Sequence, residues 1–313
     1  MLITSGGQFQ GMLSGGCLEG DLAEHAKAVA NSGEPQAVTY DLGQDDDELW
    51  GLGVGCDGLI RVFLQSLNAE NNYQPFTSMQ AAFTGNDVQI CATVVASDVE
   101  GLTAGGTLVL NDDAIIWSDI DEKYNEQIRK TANRVLPEGR SQCRSITIGN
   151  QTCEVLFTLL RPYPKVLVLG AGMDAVPLVR FISEMGWRAF VSDHRQAYID
   201  NGDFSAAEEA CCIDALKIAA NFDLDRYDAA IVMSHHLLTD ERYLRQLAAS
   251  RIPHIGLLGP RHRRERLIKS LGEVGEGLRG RLHGPAGLDI NASGPAAIAL
   301  SIVAQLQQQF HRA

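Results

Sequence analysis

The apolar residues of this chain change period several times, and each change predicts an element. Residues 2–5 and 8–13 flank Gly6-Gly7 and read as a hairpin. After Gly15-Gly16, the positions Leu18, Leu22, Ala26 and Val29 recur at helical spacing, and Asn31-Ser32-Gly33 ends that helix. A run at Leu59–Leu64 predicts a buried strand. From 68 to 80 the composition turns polar around Pro75, which predicts a linker. Strands follow at 88–96, 107–110, 114–117, 145–148 and 153–160, with turns at Asn111-Asp112-Asp113 and Gly149-Asn150 and a helix over Glu122–Val135.

Beyond Arg161-Pro162-Tyr163-Pro164, a stiff connector, the pattern becomes that of a parallel sheet. An apolar strand at 166–169 runs into Gly170-Ala171-Gly172-Met173-Asp174-Ala175, a helix over 176–185, and a second strand over 188–191 that closes on Asp193. This is the opening of a dinucleotide-type fold: Gly170 for the tight turn, Gly172 for backbone approach to a phosphate, Ala175 for close helix packing and Asp193 for a ribose hydroxyl. Asp174 sets a negative charge beside the phosphate seat, where helix N–H groups attract an anion. Further strands at 229–233 and 254–258 alternate with helical segments. In the last helix, Ser293 is the expected cap, Pro295 lies in the first turn, and Ile298, Ile302, Val303 and Leu306 share a face. The predicted class is α/β, with an N-terminal α+β domain over 1–160, strand-rich from about 70, and a doubly wound, Rossmann-like domain over 161–313.

A chain of 313 residues can hold two such cores. Its net charge of −13 disfavours nucleic acid and anionic membranes as partners, since both select clustered Lys and Arg. The one basic cluster is Arg261, Arg263, Arg264 and Arg266. No apolar run reaches membrane-helix length and no signal core follows Met1, so the cytoplasm is the default location. Seven cysteines without a C-x-x-C read as reduced thiols. A domain rarely begins inside a hairpin. The reading therefore expects a preceding strand outside this chain, which a homodimer could also supply.

In open parallel sheets, ligands sit beyond the carboxyl ends of the strands. The residues at those ends here are Gly170, Asp193-His194-Arg195, Ser234-His235-His236 and Gly259-Pro260-Arg261, with His283 in a nearby segment. Together they suggest an anionic, phosphate-bearing ligand gripped by Arg261 and Arg263 and hydrogen-bonded by His235 and His283. Exposed rim polarity is the plainer alternative. A nicotinamide-dependent oxidoreductase binding NAD(P) is the second functional reading, with Asp193 on the ribose, Arg195 on a 2′-phosphate and His235 as proton donor. Neither the histidines nor the thiols show zinc-site spacing, and His235 and His236 are expected to point apart on an extended strand. Cys17 follows Gly15-Gly16 at the start of a helix, where the dipole favours a thiolate, although Glu19 and Asp21 oppose it. Cys56 lies in Gly53-Val54-Gly55-Cys56-Asp57-Gly58, where flanking glycines open its backbone to a ligand. A thiol there either contacts a soft metal or sulfur or is a small filler of a tight turn. Cys91, Cys153 and Cys211 read as core.

Taken together, Ser14-Gly15-Gly16-Cys17-Leu18-Glu19-Gly20, the Gly53 to Gly58 segment with Cys56, the 166–175 turn, Val191-Ser192-Asp193-His194-Arg195, Met233-Ser234-His235-His236, Gly256-Leu257-Leu258-Gly259-Pro260-Arg261 and the 281–290 segment resemble the xanthine dehydrogenase accessory protein family, also called XdhC/CoxI. The resemblance implies an XdhC/CoxI-type N-terminal domain and a Rossmann-like C-terminal one. It further implies a chaperone that binds the molybdenum cofactor (molybdopterin) as cargo, assists its sulfuration and delivers it to a molybdenum hydroxylase apoenzyme such as xanthine or carbon monoxide dehydrogenase. A cysteine desulfurase is the sulfur source that such a role implies. Carried onto this chain, the binding residues are Gly16, Cys17, Gly55, Cys56, Gly170, Gly172, Ala175, Asp193, His235, Arg261 and His283. Many members have a histidine after the second turn glycine. This chain has Met173-Asp174 there, so no role of that histidine transfers.

Overall fold

The computed structural model describes residues 1–41, 58–112 and 114–310. The acidic run at 45–48, Gly55 and Cys56 lie outside them. The chain divides into two units, Met1–Pro162 and Tyr163–Ala313.

In the first unit, β1 (Leu2–Ile3) and β2 (Phe9–Gln10) pair antiparallel as the expected hairpin, shorter than its apolar pattern. Helix α1 (Glu19–Ser32) buries Leu22, Ala23 and Val29 and ends where Gly33, left-handed at φ 75°, donates its N–H to Val29. β3 (Gln36–Asp41) and β4 (Leu59–Leu64) form an antiparallel pair. β4 has the predicted limits but is only half-buried, with Leu59 exposed, because it belongs to a two-stranded ribbon. The end of the predicted linker is instead helical: α2 (Phe76–Thr84) follows Pro75 and sets Met79, Ala82 and Phe83 against Cys91, Val109 and Leu160. Proline before a first helical turn loses no hydrogen bond, so polar composition concealed a short amphipathic helix there.

β5 (Gln89–Ser97), β6 (Thr107–Leu110) and β7 (Ile115–Ser118) then lead into α3 (Glu122–Val135), β8 (Gln142–Ile148) and β9 (Gln151–Leu160). The five strands form one antiparallel sheet in the order β7-β6-β5-β9-β8. α3 is capped by the Asp121 side chain, which accepts the Lys123 N–H. Its 3.6-residue period places Tyr124, Ile128, Ala132 and Val135 on the sheet's core side.

The second unit runs β10 (Lys165–Leu169), α4 (Ala175–Glu184), β11 (Arg188–Asp193), α5 (Gln196–Asn201), β12 (Glu209–Cys212), α6 (Ile218–Asn221), β13 (Ala229–Val232), α7 (Leu237–Ala248), β14 (His254–Leu257), α8 (Arg261–Leu271), β15 (Leu282–His283) and α9 (Pro295–Phe310). All six strands are parallel, in the order β12-β11-β10-β13-β14-β15. Within β10, Val166 and Val168 join α4 and α9 in one core, while Leu167 and Leu169 join α7 and α8 in the other. Strand alternation thus feeds two helical layers, which is why β10 reads as a continuous apolar run. The direction of winding reverses between β11 and β13, on either side of β10. A crevice is expected beyond the carboxyl end of β10 for that reason.

Candidate functional site

Gly170 follows β10 with φ 127°, and a Cβ there would lie 2.5 Å from the Met233 carbonyl and 2.7 Å from the Ser234 nitrogen. The glycine is therefore required by contact with the segment after β13. Ala175 is fully buried where α4 begins, small enough for the helix to close on the sheet. At Gly172, a Cβ would fall 2.7 Å from Asp174 Oδ1, so the Asp174 carboxylate lies over the glycine turn. Asp174 Oδ2 in turn is 2.7 Å from His235 Nε2. The expected phosphate seat thus holds an internal carboxylate with an imidazole beside it.

His235 is not on an extended strand. β13 ends at Val232, and His235 has φ 61°, which turns the chain so that the His235 side chain is 60% exposed. His236 Nδ1 pairs with Thr239 Oγ1 at 2.9 Å in the first turn of α7.

Asp193, expected on a ribose hydroxyl, is wholly inaccessible. Its carboxylate accepts the Ala171 N–H at 2.8 Å, the Arg195 N–H at 2.9 Å, and Arg195 Nε and Nη2 at 2.9 and 2.8 Å. Burial pushes this carboxyl up, and the hydrogen bonds from Arg195 and Ala171 outweigh it, leaving the group below the ordinary carboxylate range. Four donors fill its acceptor positions, so the ribose role is withdrawn. Arg195 is engaged with Asp193 through its backbone N–H, Nε and Nη2.

Arg263 crosses Gly259, where a Cβ would meet its Cδ at 2.7 Å, and its Nη2 donates to buried Asp240 at 2.6 Å. Asp240 also accepts the Ser234 hydroxyl at 2.5 Å. Among the described residues, the Nε of Arg263 is buried without a hydrogen-bond partner. Such an orphaned donor is costly unless a ligand answers it.

These groups border a cleft of about 740 Å³ lined by Gly172, Asp174, Tyr198, His235, Arg263 and, as its apolar wall, Leu258, Pro260 and Ile298. A second cleft of about 510 Å³ adjoins it across Leu258, Gly259 and Pro260 and extends along Gly287, Leu288 and Asp289. Both fall in the size range of small-molecule sites. Of the predicted rim, Gly172, His235 and Arg263 come together here. Arg261 and His283 do not: Arg261 is 77% exposed and pairs with Glu265, and His283 stacks on His254 with ring centroids 4.3 Å apart. Asp174 joins as the partner of His235, whereas Tyr198 and Asp240 were missed. The spacing of Tyr198, three residues after Arg195 at a helix start, was the available signal for the first. Asp240, in the first turn of the helix after Ser234-His235-His236, was the signal for the second.

In the first unit, Cys17 is partly exposed just before α1. The N–H groups of Leu13, Ser14 and Gly16 and the Ser14 hydroxyl all donate to the Glu19 carboxylate, at 2.7 to 3.0 Å. Hydrogen bonds from Ser14 and the Leu13 N–H lower its pKa to about 2. The anion seat expected beside Cys17 is therefore filled from within. Cys91 and Cys153 are buried, as read, and Cys211 is half-buried. Burial pushes the Cys91 and Cys211 thiols up to about 11, the opposite of a reactive thiolate.

Two family models match the chain: one described as the XdhC Rossmann domain, over residues 166–306, and one described as the XdhC and CoxI family, over residues 1–41. A Bacillus subtilis (strain 168) protein described as a probable subunit of xanthine dehydrogenase is 28% identical over 309 residues, spanning 98% of this chain and 86% of the relative. A crystal structure described as a xanthine dehydrogenase from Bacillus halodurans matches with a TM-score of 0.77 at 27% identity, covering 99% of this chain and 86% of that one. Among the described residues, no helix is long and apolar enough to cross a membrane.

Proposed function

Because the chain belongs to the XdhC/CoxI family of xanthine dehydrogenase accessory proteins, we propose that it binds the molybdenum cofactor as cargo, assists its sulfuration and passes it to a molybdenum hydroxylase. The observation that carries this reading is the cleft beyond β10, β13 and β14. Its chemistry fits a phosphorylated pterin: an apolar wall of Leu258, Pro260 and Ile298, an imidazole at His235, and the guanidinium of Arg263. For phosphate to occupy the glycine turn, Asp174 rotates off Gly172, and His235 then faces the anion in its place.

The class of client is suggested by the xanthine dehydrogenase descriptions of both relatives. Cys56 and Cys17 are the proposed thiols for contact with the metal or the transferred sulfur, and a cysteine desulfurase the proposed donor. Hydride transfer with NAD(P) has less support. The side chains it depends on are engaged elsewhere, Asp193 with Ala171 and Arg195, and His235 with Asp174.

The test is the molybdenum, pterin and cyanide-labile sulfur content of a host's molybdenum hydroxylase, purified from cells with and without this chain. The expected result is a hydroxylase that accumulates to the same level but is depleted of active, sulfurated cofactor without the chain. Full loading in its absence would contradict the role.

A further inference from the structure

Tyr198 lines the cleft with 43% of its surface exposed. It lies in α5, where the Cζ of Arg195 is 3.5 Å from the centre of its ring. That is the separation of stacked planes. The guanidinium is held in place: Nε and Nη2 donate to the two oxygens of Asp193, which is inaccessible and fixed by the Ala171 N–H. One face of the ring is thus covered by a cation hydrogen-bonded through two of its nitrogens. Tyr198 remains 43% exposed and borders the same cleft as Gly172, Asp174 and His235.

We propose that Tyr198 is the stacking platform of this cleft and receives the flat ring of a pterin, with Arg195 and Asp193 as positioning residues beneath it. The inference rests on the cargo reading and names the group that selects the cargo's ring. It also accounts for the diverted acid. In a dinucleotide site the carboxylate at the end of the second strand reads a ribose, whereas here that carboxylate anchors the cation behind an aromatic ring. A ligand with a planar heteroaromatic ring and a phosphate but no ribose between them matches that change, and a pterin phosphate is such a ligand. Stacking on tyrosine needs only a π face, so the edge of the ring stays available to the polar groups of the cleft.

The experiment titrates a fluorescent phosphorylated pterin, neopterin monophosphate, into the full chain and into Tyr198→Phe and Tyr198→Leu, reading affinity and fluorescence quenching, with AMP as competitor. Wild type and Tyr198→Phe are expected to bind alike and quench the pterin, and Tyr198→Leu to lose about tenfold or more in affinity together with the quenching. Should the leucine variant fail to fold, Tyr198→Trp carries the test, with tighter binding and deeper quenching expected and their absence overturning the platform. Equal binding and quenching by a folded Tyr198→Leu would overturn the platform while leaving the cargo reading intact. Loss of pterin binding from every protein, wild type included, would overturn both. Displacement of the pterin by AMP at lower concentration than the pterin itself requires would overturn the identity of the ring.

Discussion

Glu19 shows how one side chain can convert a ligand-like loop into structure. Its carboxylate gathers the N–H groups of Leu13, Ser14 and Gly16, an arrangement that would otherwise hold a bound anion. With the folded pKa near 2 and an ordinary carboxylate in the unfolded chain, its stabilising contribution is complete above about pH 4.5. It fades as pH falls toward 2. Glu19→Gln is therefore expected to melt below wild type at pH 7, with the gap closing as both are scanned from pH 5 down to pH 2.5. A gap independent of pH would show that the charge is not what holds the loop. At this scale the sequence was legible for residue type and not for partnership. The acid at 193 was evident from its distance to the glycine turn, but its donors, Ala171 and Arg195, are brought to it by the curl of the backbone after two different strands. The same holds for Asp174, whose charge was evident and whose partner His235 is 61 residues away.

The segment joining β10 to α4 owes its glycine to a neighbouring strand end, whatever ligand it also serves. Gly170→Ala sets a methyl group against the Met233 and Ser234 backbone, which cannot yield as a flexible side chain would. A loss of roughly 3 kcal/mol or more is expected from the clash and the positive φ together. Gly186→Ala shares a positive φ, at 73°, but meets open space, and is expected to lose only about 1–2 kcal/mol. Urea unfolding midpoints of the two variants check this, and equal losses would remove the packing explanation. Elements with a clean period were legible in the sequence: Glu122–Val135 as a helix and Leu59–Leu64 as a strand have the expected limits. α2 was concealed because only Met79, Ala82 and Phe83 turn inward from a polar stretch. The segment around Cys211 read as core, but β12 is a four-residue edge strand with none of its residues fully buried.

For the whole molecule, parallel strands flanked by helices put a ligand crevice at the reversal of strand order, and the 740 Å³ cleft lies among the residues that follow β10, β13 and β14. The place of the candidate cleft was thus legible from topology and its membership only in part: Gly172, His235 and Arg263 line it, whereas Arg261 pairs with Glu265 and His283 stacks on His254. With a net charge of −13, the proposed anion binding rests locally on Arg263 and His235 and is set against Asp240 and Asp174. Removing the imidazole takes away the hydrogen-bond partner of Asp174 beside the glycine turn. The most direct measurement is the molybdenum and pterin content of the protein purified without oxygen from a host that makes the cofactor, for wild type and His235→Ala at equal folded concentration. Near-stoichiometric pterin in wild type and a clear loss in the variant is the expected result. Wild-type protein that carries neither pterin nor molybdenum would contradict the cargo-binding role.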